Sequence, residues 1–121
     1  MGDISKYFNR SEIACKCECG FDTMDGETLK LADRCREFVG HSITPSSGAR
    51  CLNYNRLSAS KGGPGSNDRS QHPRGRAMDL PVKDPKALYD YLCDKYPDKY
   101  GFGLYKTFVH IDTKSGPARR W

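Results

Sequence analysis

Ser70-Gln71-His72-Pro73-Arg74-Gly75-Arg76-Ala77-Met78-Asp79-Leu80 decides how this chain is read. From Arg74 to Leu80 the residues alternate, which predicts a β-strand with Ala77 and Asp79 on one face and Met78 and Leu80 on the other. Aspartate is disfavoured in strands, and its neighbours Ala77 and Leu80 mark this one as partly buried. A carboxylate removed from water needs a strong partner, and a divalent cation meets that need. An arginine would meet it too, in which case His72 is an unrelated surface histidine.

The alternatives narrow further along the chain. Two more strands are expected, around Phe102–Tyr105 and Phe108–Asp112. The second carries His110 between Val109 and Ile111, where a lone histidine reads as a satisfied core residue. Asp112 lies two positions on, so it leaves the same face of that strand. His72, Asp79 and His110 together make a set of two imidazoles and one carboxylate. Such a set holds zinc with three protein ligands and leaves the fourth position to water. A metal-activated water is a nucleophile at neutral pH, so the constellation points to hydrolysis.

The strands are preceded by helices. A helix is expected from about Gly26 to Val39, with Asp25 as N-cap and an apolar stripe of Leu29, Ala32, Cys35, Phe38 and Val39. Gly40 stops it. Asp84-Pro85 opens another helix, buried along Leu88, Tyr91, Leu92 and Tyr96 and ended by Pro97. The residues up to Gly20 read as a lead-in and Ser42 to Ser47 as an extended piece. Leu52 to Ala59 reads as a short helix, and Ser60 to Asp68, with Gly62–Gly65 at its centre, as a loop of turn formers. That loop is either a substrate gate or a plain connection. Helices and then strands give an α+β fold in one domain, residues 1–121, with the metal on a small antiparallel sheet and the helices packed against it.

A net charge of +5 favours polyanionic surroundings: nucleic acid, acidic lipid or an anionic wall polymer. No aromatic and basic interleaving suggests a base-stacking platform, so a nucleic-acid-binding domain rests on charge alone. No apolar stretch approaches a membrane span, and the polar start Met1-Gly2-Asp3-Ile4-Ser5-Lys6 is unlike a signal peptide. Synthesis in the cytoplasm without insertion into a membrane is the expectation, and reduced thiols are then the default for the six cysteines. Cys15, Cys17 and Cys19 alternate, which in an extended segment turns them one way; buried thiols, a second metal site and a disulfide all stay open. Cys35, Cys51 and Cys93 read as core residues.

The stretch from Ser70 to Asp79 resembles the S-x-H-x-x-G-x-A-x-D signature of the LAS metallopeptidases. That group comprises zinc D-Ala-D-Ala carboxypeptidases, L-Ala-D-Glu endopeptidases, VanX-type dipeptidases and many phage endolysins. Ser47-Gly48-Ala49-Arg50-Cys51 is similar to its S-G-Y-R segment, with Ala49 in place of the usual aromatic. Gly101 to Asp112 resembles its closing strands, and Ala118-Arg119-Arg120-Trp121 the end of its short members, so the likeness runs from about Ser5 to Trp121.

The resemblance implies a hedgehog/D-Ala-D-Ala-peptidase-like fold with zinc held by His72, Asp79 and His110. It implies that Arg50 steadies the substrate carbonyl or the developing oxyanion, and that Ser70 and Gln71 shape the ligand loop and bind substrate. Many members carry an acidic base three residues before the last ligand histidine, and others a second histidine two before it. Here those positions are Thr107 and Phe108. Asp112 is the nearest acidic residue, expected either to carry the proton as general base or to orient His110 or Arg50. The implied activity is hydrolysis of peptidoglycan stem peptides by a monomeric, bacteriolytic phage endolysin of the carboxypeptidase or endopeptidase type. The alternative is a catalytically silent zinc module that binds the wall or a protein partner.

Overall fold

The computed structural model describes residues 2–17, 19–51, 55 and 71–121. The helix expected over Leu52–Ala59, the loop from Ser60 to Asp68 and Ser70 lie outside the described residues. A short helix α1 (Arg10–Ile13) and a long helix α2 (Gly26–Val39) precede a 3-10 turn at His72–Arg74. Strand β1 (Ala77–Pro81), helix α3 (Pro85–Lys95) and strands β2 (Gly101–Leu104), β3 (Phe108–Asp112) and β4 (Arg119–Arg120) follow.

The strands form one sheet in the order β1-β3-β2-β4. The β1/β3 and β2/β3 pairs are antiparallel, whereas β2/β4 is parallel. The sheet is therefore mixed, which corrects the expectation of an antiparallel one. Two consecutive arginines carry no strand signal; Arg119 and Trp121 are drawn into line by backbone bonds to Tyr100 and Phe102 carbonyls (2.9 and 3.1 Å).

Register sorts the chemistry from the core. Met78 lies opposite Ile111, Leu80 opposite Val109, and Phe102 opposite Ile111 on the other side. All five are buried on one face, against Leu29, Ala32 and Cys35 of α2 and Leu88 and Leu92 of α3. Because side chains alternate across the pleat, the intervening residues Ala77, Asp79, Gly101, Gly103, His110 and Asp112 share the opposite face. A one-residue slip would exchange the two sets, so the apolar face fixes where the polar groups stand.

The helices start and stop where the sequence places them. The Asp25 carboxylate accepts from Glu27 N–H (3.0 Å), and Gly40 closes α2 in the left-handed conformation at φ 73°. Asp84 accepts from Ala87 N–H (3.1 Å) at the head of α3. Phe38 departs from the expected stripe: it is 44% exposed and stacks on Tyr91 at the surface, ring centroids 4.1 Å apart. β1 begins at Ala77 rather than Arg74, since Pro73 sets a tight turn there.

The first twenty residues do more than lead in. Phe8 and Ile13 are fully buried in the core. Asp33 of α2 accepts from the Ser5 hydroxyl (2.9 Å) and from the N–H groups of Lys6 and Tyr7 (3.3 and 3.2 Å), which ties this segment down.

β2 contributes glycines to the polar face for reasons of space. A Cβ on Gly103 would lie 2.5 Å from Trp121 Nε1, inside van der Waals contact. Gly103→Ala is expected to push the half-exposed indole of the last residue away from His110 at a cost of only about 0.5 kcal/mol, because that side chain is free to swing outward. Urea unfolding of the two proteins measures it.

Candidate metal centre

His72 reaches the polar face from the 3-10 turn that precedes β1. Pro73 supplies the fixed φ, and the Gln71 carbonyl accepts from the N–H groups of Arg74 (3.1 Å) and Arg76 (3.2 Å). Gln71 is buried and shapes the turn through its backbone. The His72 ring is aimed by Gly48, whose carbonyl lies 2.6 Å from Nδ1. A carbonyl only accepts, so Nδ1 carries the proton and Nε2 presents its lone pair to the site. Gly48 can stand there because it packs directly on Ile13: a Cβ would meet the Ile13 carbonyl oxygen at 2.8 Å.

Asp79 and His110 are cross-strand partners in the β1/β3 register, which sets their side chains side by side. His110 Nδ1 is 2.9 Å from Asp79 Oδ1, and His72 Nε2 is 3.5 Å from the same oxygen. One ligand atom from each of His72, Asp79 and His110 lies within 4.8 Å of the other two. All three are at least nine-tenths buried as side chains or nearly so, at 3%, 10% and 12% exposure. This His₂Asp set is the borderline-soft nitrogen and oxygen donor set that zinc takes, and the residues fit such an ion.

Arg50 arrives from the other edge of β1. Ser46 N–H donates to the Asp79 carbonyl (3.0 Å) and Asp79 N–H to the Ser47 carbonyl (2.9 Å), a bridge that brings the 46–51 segment alongside. The Arg50 guanidinium donates to Asp79 Oδ2 (3.2 Å), to the Ser47 hydroxyl (2.8 Å) and to Asn55 Oδ1 (3.2 Å). It is 8% exposed, and among the described residues its planar fork is fixed on these three partners.

Asp112 stands behind His110. Its Oδ2 is 2.9 Å from His110 Nε2, and its Oδ1 accepts from Arg119 and from the Lys114 N–H (3.3 Å). Both oxygens are engaged and the residue is 1% exposed. The indole of Trp121 covers His110, centroids 5.0 Å apart, and donates from Nε1 to the Tyr105 hydroxyl (2.9 Å).

The electrostatics follow from these contacts. Burial pulls the His72 imidazolium down, which keeps a neutral imidazole at the site. Burial pushes the Asp79 carboxyl up, but its contacts, first with His110 and then with His72, outweigh it and hold the group well below the usual carboxylate range. Burial likewise pulls His110 down, and its bonds to Asp112 and Asp79 outweigh that and raise it. The two carboxylates thus favour the imidazolium form of His110, with one ring nitrogen facing each. A cation at Nδ1 would displace the proton from that nitrogen.

The structure brings His72, Asp79, His110, Arg50 and Asp112 into one contiguous network, with Gln71 at its edge; Ser70 lies outside the described residues. Sequence reasoning missed the Gly48 carbonyl, Asn55, Arg119 and Trp121. A backbone acceptor leaves no trace in a sequence. Asn55 is one polar residue within the expected 52–59 helix, with nothing in the sequence to aim it at Arg50. Arg119 and Trp121 come from a tail with no periodicity, although the likeness of Ala118 to Trp121 to the ends of short LAS members marked those two.

Fold and site together define a small α+β domain with a three-residue candidate metal centre on the open face of its sheet. A family model described as Peptidase M15 matches residues 6–112, and the chain belongs to this peptidase family. No curated protein and no solved structure matches it. No helix among the described residues is long and apolar enough to cross a membrane.

Proposed function

We propose that this protein is a zinc peptidase that hydrolyses a peptide bond in peptidoglycan stem peptides, of the D-Ala-D-Ala carboxypeptidase or L-Ala-D-Glu endopeptidase type. The observation that carries the reading is the convergence of His72 Nε2, Asp79 and His110 Nδ1 in a member of a peptidase family. Zinc held there would supply Lewis acidity to a water and to the scissile carbonyl. His72 and His110 offer their lone pairs, and Asp79 stays ionised to receive the ion. The net charge of +5 agrees with an anionic wall substrate, because long-range attraction raises the rate of encounter with an extended polyanion. Wall lysis as a monomeric phage endolysin is the biological setting the LAS resemblance suggests.

Asp112 is a positioning residue in this account. A buried carboxylate whose two oxygens already accept from His110, Arg119 and Lys114 N–H is better placed to orient His110 than to take a proton from a substrate water. It accepts the Nε2–H of His110, fixes the ring and raises the basicity of Nδ1. Arg50 holds Asp79 from its second oxygen and sets a fixed positive charge beside the His₂Asp set, where it would stabilise charge developing on a substrate carbonyl oxygen. Arg50→Lys keeps the charge but loses the fork; kcat is expected to fall by about 10²–10³ with zinc content unchanged. Steady-state kinetics beside metal analysis reads both.

The test of the reading is release of free amines from purified peptidoglycan by the zinc-loaded protein, with and without a chelator. Release that the chelator stops is the expected result. A zinc-loaded sample that releases none would instead favour the silent binding module.

A further inference from the structure

A second convergence lies away from the His₂Asp site. The chain comes back on itself between Cys15 and Phe21, where Cys15 N–H donates to the Phe21 carbonyl (2.8 Å). It turns at Lys16 and Cys17 instead of running extended, so Cys15, Cys17 and Cys19 gather by curvature rather than by sharing a strand face. Cys51, expected in the core, comes to them from the Arg50 segment. One sulfur from each of Cys15, Cys17, Cys19 and Cys51 lies within 4.8 Å of the other three. Cys17 Sγ is 3.4 Å from Cys15 Sγ and 3.5 Å from Cys51 Sγ, so it touches two thiols at once and is not set aside with one partner.

These spacings are those of a coordination sphere. A tetrahedral zinc with Zn–S bonds of about 2.3 Å separates its sulfurs by about 3.8 Å, a few tenths of an ångström beyond the two Cys17 contacts and inside the 4.8 Å that bounds all four sulfurs. The Cys51 N–H donates to Cys15 Sγ (3.4 Å), the kind of backbone bond that steadies a thiolate ligand. Four sulfurs and no carboxylate or imidazole make a soft, closed set, which suits a structural ion and leaves no open position.

We propose that Cys15, Cys17, Cys19 and Cys51 bind a structural zinc that clips the N-terminal loop to the segment carrying Arg50. The backbone already joins the two, through Ala49 N–H to the Ile13 carbonyl (2.7 Å) and Cys51 N–H to Cys15. Arg50 is the residue between those two anchor points. The ion therefore sets the position of the guanidinium that holds Asp79, without touching the reacting groups. Binding four thiols releases their protons to solvent and involves no electron transfer.

Metal analysis of protein purified under reducing conditions with zinc supplied tests this. Two zinc ions per chain are expected, falling to one in His110→Ala and to one in the double variant Cys17→Ser/Cys51→Ser. Cobalt in His110→Ala should give an intense thiolate-to-metal charge-transfer band. The wild-type protein offers a second measurement should the cysteine variant not fold. Cys17 and Cys19 are solvent-exposed, so native alkylation should spare them while zinc is bound and label them, with Cys15 and Cys51, once a chelator is added. Equal labelling of Cys17 and Cys19 with and without chelator overturns the proposal. So does a metal-free His110→Ala protein, or a mass showing these cysteines oxidised to disulfides. Because the stoichiometry of His110→Ala reads only the cysteine site, this test is independent of whether the protein cleaves peptidoglycan.

Discussion

His110→Ala is expected to abolish zinc binding at the His₂Asp centre and to reduce hydrolysis to the level of the assay blank. The imidazole occupies the middle of the network, with Asp79 on one nitrogen and Asp112 on the other (2.9 Å each). Its removal takes away one ligand in three and leaves two buried carboxylates facing a gap. Each loses the imidazole that satisfied one of its oxygens, which is costly in a buried site. Arg50 still answers Asp79 and Arg119 still answers Asp112, so the sheet should survive the substitution. Isothermal titration with zinc and a kinetic assay on the same preparation check the two losses. Turnover at the wild-type rate would remove the metal centre from the mechanism.

Asp112→Asn separates the two roles open to that residue. An asparagine oxygen can still accept from His110 Nε2–H, but the negative charge that makes Nδ1 a better ligand is gone. Zinc affinity is therefore expected to fall by about 10–100-fold, the usual cost of losing such an outer partner. Activity should be low at limiting zinc and recover as zinc is raised. A general base behaves differently: zinc would bind as tightly as before, and turnover would stay lost at every zinc concentration. Activity measured across a zinc titration distinguishes these outcomes. The loss of Asp112's ion pair with Arg119 also lowers stability, so unfolding should be followed in parallel.

Much of this site was legible because its residues sit on strongly periodic elements. Alternation around Asp79 and His110 gives the face on which each stands, and register then places them together. The caps at Asp25, Gly40 and Asp84 are local signals read within one turn of chain, and they set α2 and α3. What stayed hidden depends on long-range geometry. β4 forms because its backbone aligns with Tyr100 and Phe102, not because Arg119-Arg120 prefers a strand. Cys51 reads as one more apolar residue until the 46–51 segment is pinned to β1 and carries it to Cys15. Phe38 fits the helical stripe by spacing, yet it stands at the margin of that stripe: Val39 still packs on the core while the Phe38 ring stacks on Tyr91 at the surface. The roles of Asp112 could not be parted in the sequence, since both place it two residues from His110. Its engagement with Arg119 and burial favour the positioning role.

The central claim is that His72, Asp79 and His110 make this chain a zinc-dependent cutter of stem peptides. Mass spectrometry of muropeptides from purified peptidoglycan, incubated with zinc-loaded protein, tests it most directly. The predicted result is a set of fragments hydrolysed at one peptide bond, either shortened by the terminal alanine or split after the first stem residue, and absent when a chelator is included. Stem peptides left intact by a folded, zinc-loaded protein, or cleavage that the chelator does not stop, would contradict it.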